Sequence, residues 1–184
     1  MKNKLIKEIK KLDKPHIIIA IDGRCASGKT TLAAELKKEL NCNVIHADSF
    51  FLRPEQRTKT RLNTPDGNID YERLENEVLI PLRLGADFSY RPYDCRTQDF
   101  LPPVSVKKNR INIVEGAYSC NPHLFRYYDC TVFMTTDPSE QLKRILNRNG
   151  TEGLKTFKEK WIPLEEKYFK ECNIKEQSDF IIET

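Results

Sequence analysis

The sequence predicts a three-layer α/β/α fold built on a mainly parallel sheet. Apolar runs such as HIIIAID at 16–22 are continuous rather than alternating, which is typical of strands buried on both faces of a parallel sheet. Strand-like and helix-like segments also alternate along the chain, as βαβ units require. The length of 184 residues predicts one domain over residues 1–184.

The first half of the chain contains a βαβ unit. An amphipathic helix is predicted over 2–12, within the N-terminal segment 1–14, because Leu5, Ile6, Ile9 and Leu12 recur at helical spacing. The elements predicted next are a strand at 16–22, a helix at about 30–40, a strand at 44–47, a polar loop or short helix at 53–68, and a helix at 71–84. Prolines predict an irregular segment from there to about residue 103.

The second half adds two buried strands and a helical region. Strands are predicted at 111–116 and 130–136. Asp137, followed by a proline, is expected to cap a helix over 139–148. A Lys/Glu-rich helix over 152–171, with Pro163 as a candidate interruption, and a closing strand at 179–183 complete the chain.

Composition excludes several classes of function. The 31 basic and 27 acidic residues are interspersed, which suits a small anionic ligand and argues against a nucleic-acid partner. The longest apolar run, Ile17 to Ile21, is too short to cross a membrane, and no secretory leader is evident, so a cytoplasmic location is expected. The six cysteines show no CxxC spacing, which predicts neither a zinc site nor a redox pair.

A phosphate-binding motif lies between the first predicted strand and the helix after it. Residues 23–30, GRCASGKT, satisfy the pattern G-x-x-x-x-G-K-[ST] in the strand-to-helix context that gives the pattern its meaning. Lys29 is expected to reach the β- and γ-phosphates, and the Thr30 hydroxyl to ligate Mg²⁺. The predicted nucleotide-binding residues are Gly23, Cys25, Ala26, Ser27, Gly28, Lys29, Thr30 and Thr31. ATP or GTP with Mg²⁺ is therefore the expected ligand of a P-loop NTPase fold.

Three further features suit phosphoryl transfer to a small molecule. Asp48 follows the second strand and is a candidate general base, the alternative being a loop or helix cap. Glu115 ends the third strand and is a candidate Mg²⁺ ligand through water, or the partner of a lysine. Arg144 and Arg148 lie four residues apart and could close over the phosphates as catalytic residues of a lid at about 144–155, the alternative being a solvated helix face. No GTPase or transporter-ATPase motif is present, which leaves small-molecule kinases as the leading class.

The order of these motifs resembles the uridine kinase and phosphoribulokinase family over about residues 16–182. The segments that carry the resemblance are IDGRCASGKT (21–30), HADSFF (46–51), GNIDYERL (67–74), YRPYDCRTQ (90–98), VEGAY (114–118) and DPSEQLKRILNRN (137–149). The resemblance implies a P-loop kinase that uses ATP or GTP and Mg²⁺ to phosphorylate a sugar hydroxyl. It further implies that Asp48 is the base, that Asp70 holds ribose hydroxyls and that Tyr93 lines the nucleoside pocket.

The acceptor region, about 48–100, departs from the family pattern. Cys95 stands where nucleoside kinases carry an aromatic residue, and Gln98 where they carry a histidine. Gln98 can still bind a base edge, but Cys95 offers no aromatic face. Arg53, with Arg57 and Arg61, could instead meet a second anionic group on the acceptor, the alternative being a solvated loop.

The sequence therefore predicts an ATP-dependent phosphotransferase that resembles uridine kinase and acts on a hydroxyl of a nucleoside-like small molecule. A nucleotide hydrolase and a non-catalytic nucleotide-binding regulator remain the alternatives on the same fold. Kinases of this kind are often homo-oligomers, and the sequence leaves the oligomeric state, the choice of ATP or GTP and the identity of the acceptor open.

Overall fold

The central sheet has five strands, and all of them run parallel. A computed structural model describes residues 1–184. The strands of the sheet are β1 (Ile17–Gly23), β2 (Asn43–His46), β7 (Ile111–Glu115), β8 (Cys130–Thr135) and β9 (Phe180–Glu183). Their order across the sheet is β2-β7-β1-β8-β9. Their pairings are all parallel in register, so the predicted parallel sheet is confirmed.

Helices cover both faces of this sheet. They are α1 (Lys2–Lys11), α2 (Lys29–Leu40), α3 (Lys59–Asn63), α4 (Tyr71–Leu74), α5 (Ile80–Leu84), α6 (Pro138–Thr156), α7 (Ile162–Glu171) and α8 (Ile174–Gln177). A π-helical turn, Glu75–Leu79, joins α4 to α5, which makes one continuous helix over the predicted 71–84. None of these helices is long and apolar enough to cross a membrane.

Alternate residues of β1 face two separate cores. Ile17, Ile19 and Ile21 pack with α1 and α2 on one face of the sheet. Ile18 and Ala20 pack with the α4–α5 helix and α7 on the other face. This division explains why residues 17–21 of the strand are all apolar, and it confirms the three-layer α/β/α prediction.

The segment that the sequence predicted as irregular forms two small antiparallel ribbons. Strands β3 (Phe88–Tyr90) and β6 (Val104–Val106) pair with each other, and β4 (Tyr93–Asp94) and β5 (Asp99–Phe100) form a hairpin between them. With only two or three residues each, these strands are too short to show the alternating pattern from which strands are predicted.

The helical region after β8 is confirmed in outline and corrected at Pro163. Asp137 caps α6 by accepting from the amide of Ser139 at 2.8 Å. Gly150, with φ 70° and ψ −175°, breaks α6 between the two predicted helices. Pro163 does not interrupt the second one: a π-helical turn, Phe157–Trp161, precedes it, and the proline takes up the first turn of α7, where its missing N–H is tolerated.

Candidate active site

The phosphate loop, residues 23–30, presents a set of free backbone amides. Ala26 and Gly28 have positive φ angles of 59° and 89°, which turn successive N–H groups towards one side. The amides without any hydrogen-bond partner in the protein are those of Ala26, Gly28, Lys29, Thr30 and Thr31. The Oγ of Ser27 is also buried without a partner. These donors fit a polyphosphate, because unpaired amides at the start of a helix bind anions.

A buried carboxylate anchors the base of the loop. Asp22 is fully buried and accepts hydrogen bonds from the amides of Gly23 (2.6 Å) and Cys120 (2.8 Å) and from the hydroxyl of Tyr168 (2.8 Å). Burial raises the pKa of the Asp22 carboxyl, and these donors oppose that shift. Asp22 therefore holds the loop to its surroundings rather than facing a ligand.

The predicted magnesium ligands are brought together at the end of β7. The Thr30 hydroxyl donates to the Glu115 carboxylate at 3.2 and 3.3 Å. His46 lies on the other side of that carboxylate, with Nδ1 2.5 Å from Oε1 of Glu115, and this hydrogen bond raises the pKa of the His46 imidazole. Lys29 donates to the carbonyls of Gly23 and Arg24 at 2.6 and 2.8 Å. Threonine and glutamate oxygens are the hard donors that Mg²⁺ prefers.

Asp48 lies in the same cleft as the phosphate loop. The cleft has a volume of about 790 Å³, within the roughly 300–1,000 Å³ typical of ligand pockets. The Asp48 side chain is exposed to solvent, yet the surrounding walls of the cleft desolvate it and raise its pKa, while Lys29 acts in the opposite direction. Asp48 also packs against Gly116, since a Cβ on Gly116 would lie 3.1 Å from the Asp48 carboxylate. The structure thus brings Asp48 into one cleft with the phosphate loop, while its role as general base stays a prediction.

Arg144 and Arg148 line the cleft from α6. Arg144 donates to the carbonyl of Ala26 at 3.3 Å and is also bound to Glu140 at 3.0 Å. Arg148 makes no salt bridge and lies over the ring of Phe157, with its guanidinium carbon 5.6 Å from the ring centroid. The Arg144 guanidinium thus contacts the phosphate loop, and Arg148 lines the same cleft.

The other predicted acceptor residues do not line this cleft. Asp70 is buried, caps α4 at the amide of Arg73 (3.1 Å) and accepts from Gln56 (2.7 Å). Tyr93 is buried against Phe100, at an edge-to-face centroid distance of 5.6 Å.

Gln98 and Arg53 are likewise outside the cleft. Gln98 lies exposed in the turn of the β4–β5 hairpin, with φ 56°. Arg53 pairs with Glu55 at 3.1 Å and contacts Gln56. The structure therefore groups the predicted donor-side residues and Asp48 in one place and leaves these four acceptor-side candidates around its periphery.

Arg57, a sequence candidate for a second anionic group, completes the cleft together with aromatic residues that the sequence did not single out. Arg57 lies beside Cys95, with 3.9 Å between its guanidinium and the thiol sulfur, and makes no salt bridge. Aromatic faces come from Phe51, Phe157 and Trp161. Trp161 and Phe157 lie more than 100 residues from the phosphate loop in sequence, and the only local signal was an aromatic pair in an otherwise Lys/Glu-rich helix.

Comparison with known proteins places the chain beside small-molecule kinases. No model of a known protein family matches it. A 59-residue stretch is 49% identical to human nicotinamide riboside kinase 1 and spans 32% of this chain but only 28% of that kinase. A solved structure described as a possible uridine kinase from Bacillus stearothermophilus matches with a TM-score of 0.72 over 98% of this chain and 96% of its own, at 19% identity.

A second solved structure gives the same result. A candidate fructose transport system kinase from Silicibacter sp. TM1040 matches with a TM-score of 0.72 over 99% of this chain and 98% of its own, at 17% identity. At these identities the likeness shows the fold, which is that of uridine kinase-like P-loop kinases. The resemblance that the motif order predicted is confirmed at that level.

Proposed function

We propose that this chain is an ATP-dependent kinase that transfers the γ-phosphate to a hydroxyl group of a ribonucleoside-like acceptor. The observation that carries the proposal is the common cleft, in which a phosphate loop with free amides faces a solvent-accessible carboxylate, Asp48. A nucleotide-binding protein without an acceptor would need the loop but not the acid. The likeness to small-molecule kinases supports the same assignment.

The donor side would bind the triphosphate through the phosphate loop. The free amides and the positive end of α2 bind phosphate oxygens, and Lys29 adds a charge that can turn from the loop carbonyls to the β- and γ-phosphates. Arg144 and Arg148 line the cleft at the same end, where guanidinium groups neutralise the charge of the transferring phosphoryl group.

Thr30 and Glu115 would hold Mg²⁺. No group of three or more His, Cys, Asp or Glu side chains converges into an all-protein metal site. That arrangement fits Mg²⁺, which usually binds through one or two protein oxygens together with substrate phosphates and water. When bound, the ion neutralises charge on the phosphate oxygens.

Asp48 would act as the general base on the acceptor. Its carboxylate takes the proton of the acceptor hydroxyl while the hydroxyl oxygen forms a bond to the γ-phosphorus. The bond between the γ-phosphorus and the oxygen that bridges to the β-phosphate breaks, and ADP leaves with that electron pair. Because burial raises the pKa of Asp48, the carboxylate is a stronger base than an ordinary aspartate.

Ribonucleosides are the first acceptors to test. Nicotinamide riboside kinase 1 acts on nicotinamide riboside by its name, and a uridine kinase acts on uridine. In this chain the aromatic faces of Phe51, Phe157 and Trp161 are available for a base, although Cys95 supplies none. Arg57 and Asn68 add polar groups to the same cleft.

The test is ADP formation with a panel of acceptors. The purified chain is incubated with ATP, Mg²⁺ and either nicotinamide riboside, uridine, cytidine or a simple sugar; ADP is followed by a coupled assay and the product by mass spectrometry. We expect acceptor-dependent ADP and a product heavier by one phosphoryl group. Asp48→Asn should slow product formation by about 10²–10⁴-fold and Lys29→Ala should abolish it, whereas Asp13→Asn, which changes an exposed acid outside the cleft, should leave it unchanged.

Other outcomes identify the alternatives. ADP released at the same rate without any acceptor would indicate a hydrolase. Tight ATP binding without turnover across the panel would indicate a nucleotide-binding regulator. Absence of ATP binding would overturn the proposal altogether.

A further inference from the structure

The peptide groups of Cys25, in the middle of the phosphate loop, are held from two sides by buried polar side chains. The Cys25 amide donates to Oε2 of Glu165 at 2.9 Å. The Cys25 carbonyl accepts from Nε2 of Gln141 at 3.0 Å. Gln141 and Glu165 are only 4% and 7% exposed, so both contacts are shielded from water. Neither residue belongs to a sequence motif of the loop.

These two residues come from the two helical arms on either side of the break at Gly150, which lies in the predicted lid. Gln141 lies on α6, before the lid at 144–155, and Glu165 lies on α7, after it. The break at Gly150 separates the two helical arms. The phosphate loop is therefore bound by one arm on each side of the segment that carries Arg148.

Further contacts of α7 follow the loop residue by residue. Glu166 binds the Arg24 guanidinium with two contacts, of 2.7 and 3.2 Å, and Tyr168 donates to Asp22 at 2.8 Å. As α7 advances from 165 to 168, the bound residue moves back from 25 to 22. Side chains of one helix thus bind three positions along the end of β1 and the start of the loop.

Such contacts have a clear physical effect on a glycine-rich loop. Glycine and positive-φ residues leave the backbone many alternative conformations, and the free amides converge on a phosphate only in one of them. A loop fixed before binding does not lose that freedom when the ligand arrives, and its dipoles are already oriented. Buried polar side chains are also unfavourable unless they are paired, so Gln141 and Glu165 stabilise the conformation that pairs them.

We propose that Gln141 and Glu165 are positioning residues for the nucleotide: by fixing the Cys25 peptide they hold the free amides of the loop in the arrangement that binds phosphate. The inference rests on the proposed function and deepens it, since it assigns donor affinity to residues outside the phosphate-binding motif. It also makes the two arms of the lid part of the donor site.

The test compares nucleotide binding with acceptor kinetics in matched variants. Glu165→Leu and Gln141→Leu remove the hydrogen bonds, whereas Glu165→Gln keeps an oxygen that accepts from the Cys25 amide. Glu171→Leu is the control, because Glu171 is an exposed acid at the end of the same helix and makes no hydrogen bond or salt bridge. The Kd for ATP is measured by calorimetry, KM is measured for ATP and for the acceptor, and folding is checked by circular dichroism.

We expect Glu165→Leu and Gln141→Leu each to raise the Kd and KM for ATP by about 5-fold or more, because a loop freed from these contacts must be ordered when the nucleotide binds. The KM for the acceptor should stay within about 2-fold, a split that a general loss of stability would not produce. Glu165→Gln should restore most of the ATP affinity, and Glu171→Leu should bind ATP like the wild type.

Unchanged ATP affinity in folded Glu165→Leu and Gln141→Leu would overturn the inference. So would an equal rise in KM for ATP and for the acceptor. If Glu165→Leu does not fold, Gln141→Leu and Glu165→Gln decide the question, because one loses its contact and the other keeps it. A wild type that binds no ATP would instead refute the proposed function, so the two failures are distinguishable.

Discussion

Alanine at Gly23 should destabilise the protein far more than alanine at Gly28, although both glycines belong to the phosphate loop and both have positive φ. A Cβ at Gly23, where φ is 127°, would lie 2.0 Å from the carbonyl oxygen and 2.6 Å from the amide nitrogen of Met134. A Cβ at Gly28, where φ is 89°, would meet only the end of the Met134 side chain, at 3.8 Å. The second contact is ordinary, whereas the first requires the backbone to move by roughly 1 Å.

That movement would occur at the junction of β1 and β8. Gly23 is paired in register with Met134, and the Arg24 amide donates to the Met134 carbonyl at 3.0 Å. Leaving that buried carbonyl unpaired costs about 1–3 kcal/mol, and a side chain at this φ adds a similar amount. We therefore expect Gly23→Ala to lower the free energy of unfolding by about 3–5 kcal/mol. Gly28→Ala should lower it by about 1–2 kcal/mol, from backbone strain alone.

The assay is thermal unfolding followed by circular dichroism. For a chain of this size 1 kcal/mol corresponds to roughly 2–4 °C in Tm, so the expected losses are about 6–20 °C for Gly23→Ala and about 2–8 °C for Gly28→Ala. Gly150→Ala is a useful reference, because a Cβ there has nothing within 4 Å and only the φ of 70° opposes it. Equal losses of Tm for Gly23→Ala and Gly28→Ala would refute the steric reasoning.

Three further predictions concern the base, the core and the cleft. Asp48→Asn should lower kcat by about 10²–10⁴-fold in the coupled assay. Because burial raises the pKa of Asp48, the wild-type rate should fall on acidification with a midpoint above the ordinary aspartate pKa of about 3.9. A midpoint of the pH–rate profile below that value would contradict the assignment. Burial of Asp129 is outweighed by Arg83 and Lys14, at 2.8 and 2.7 Å, so its pKa is lowered and its stabilisation is lost as the pH falls below about 4. Asp129→Asn should lower the free energy of unfolding by about 2–3 kcal/mol at pH 7, since Lys14 is half exposed. A Tm difference from the wild type that does not shrink as the pH is lowered from about 5 to about 3 would argue against this. The chain has one tryptophan, Trp161, and it lines the cleft. A saturable change in its fluorescence should therefore accompany binding of an aromatic acceptor. Binding detected by calorimetry without such a change would exclude stacking on Trp161.

The fold and the phosphate loop could be predicted because their determinants are local. The continuous apolar run at 17–21 makes up most of β1, and each face of it meets a different core. The glycines of residues 23–30 impose a turn whose chemistry depends on the backbone, so the pattern alone indicates free amides. The pairing of β3 to β6, by contrast, could not be predicted from the sequence, because each of these strands has only two or three residues.

The acceptor side could not be predicted because its residue types have several uses. Asp70 precedes a helix, and its carboxylate caps that helix and accepts from Gln56. Arg61 is bound to Glu72 by two contacts of 2.7 Å, so it is not free for an anion. The sequence around an aspartate or arginine does not show whether a neighbouring side chain or backbone group pairs with it in the folded protein. Where such a partner exists, the side chain is not available to a ligand.

The contribution of α7 was hidden by distance along the chain. Trp161, Glu165 and Tyr168 share one face of the helix, and an acid among aromatic residues on a buried face was the available signal. Nothing in the sequence says which element that face meets. The structure shows that it meets the phosphate loop, about 140 residues earlier.

That separation has a consequence for how the site comes into being during protein synthesis. Three hydrogen bonds of the loop region have partners late in the chain: Cys25 with Glu165, Asp22 with Tyr168, and the Ser27 carbonyl with the Thr184 hydroxyl. Their partners are separated by 140, 146 and 157 residues. A nascent chain therefore carries the phosphate-binding motif from its first tens of residues but cannot complete the loop until residues 165–184 leave the ribosome. A chain truncated before residue 165 would contain the whole motif and should still lack a preformed nucleotide site.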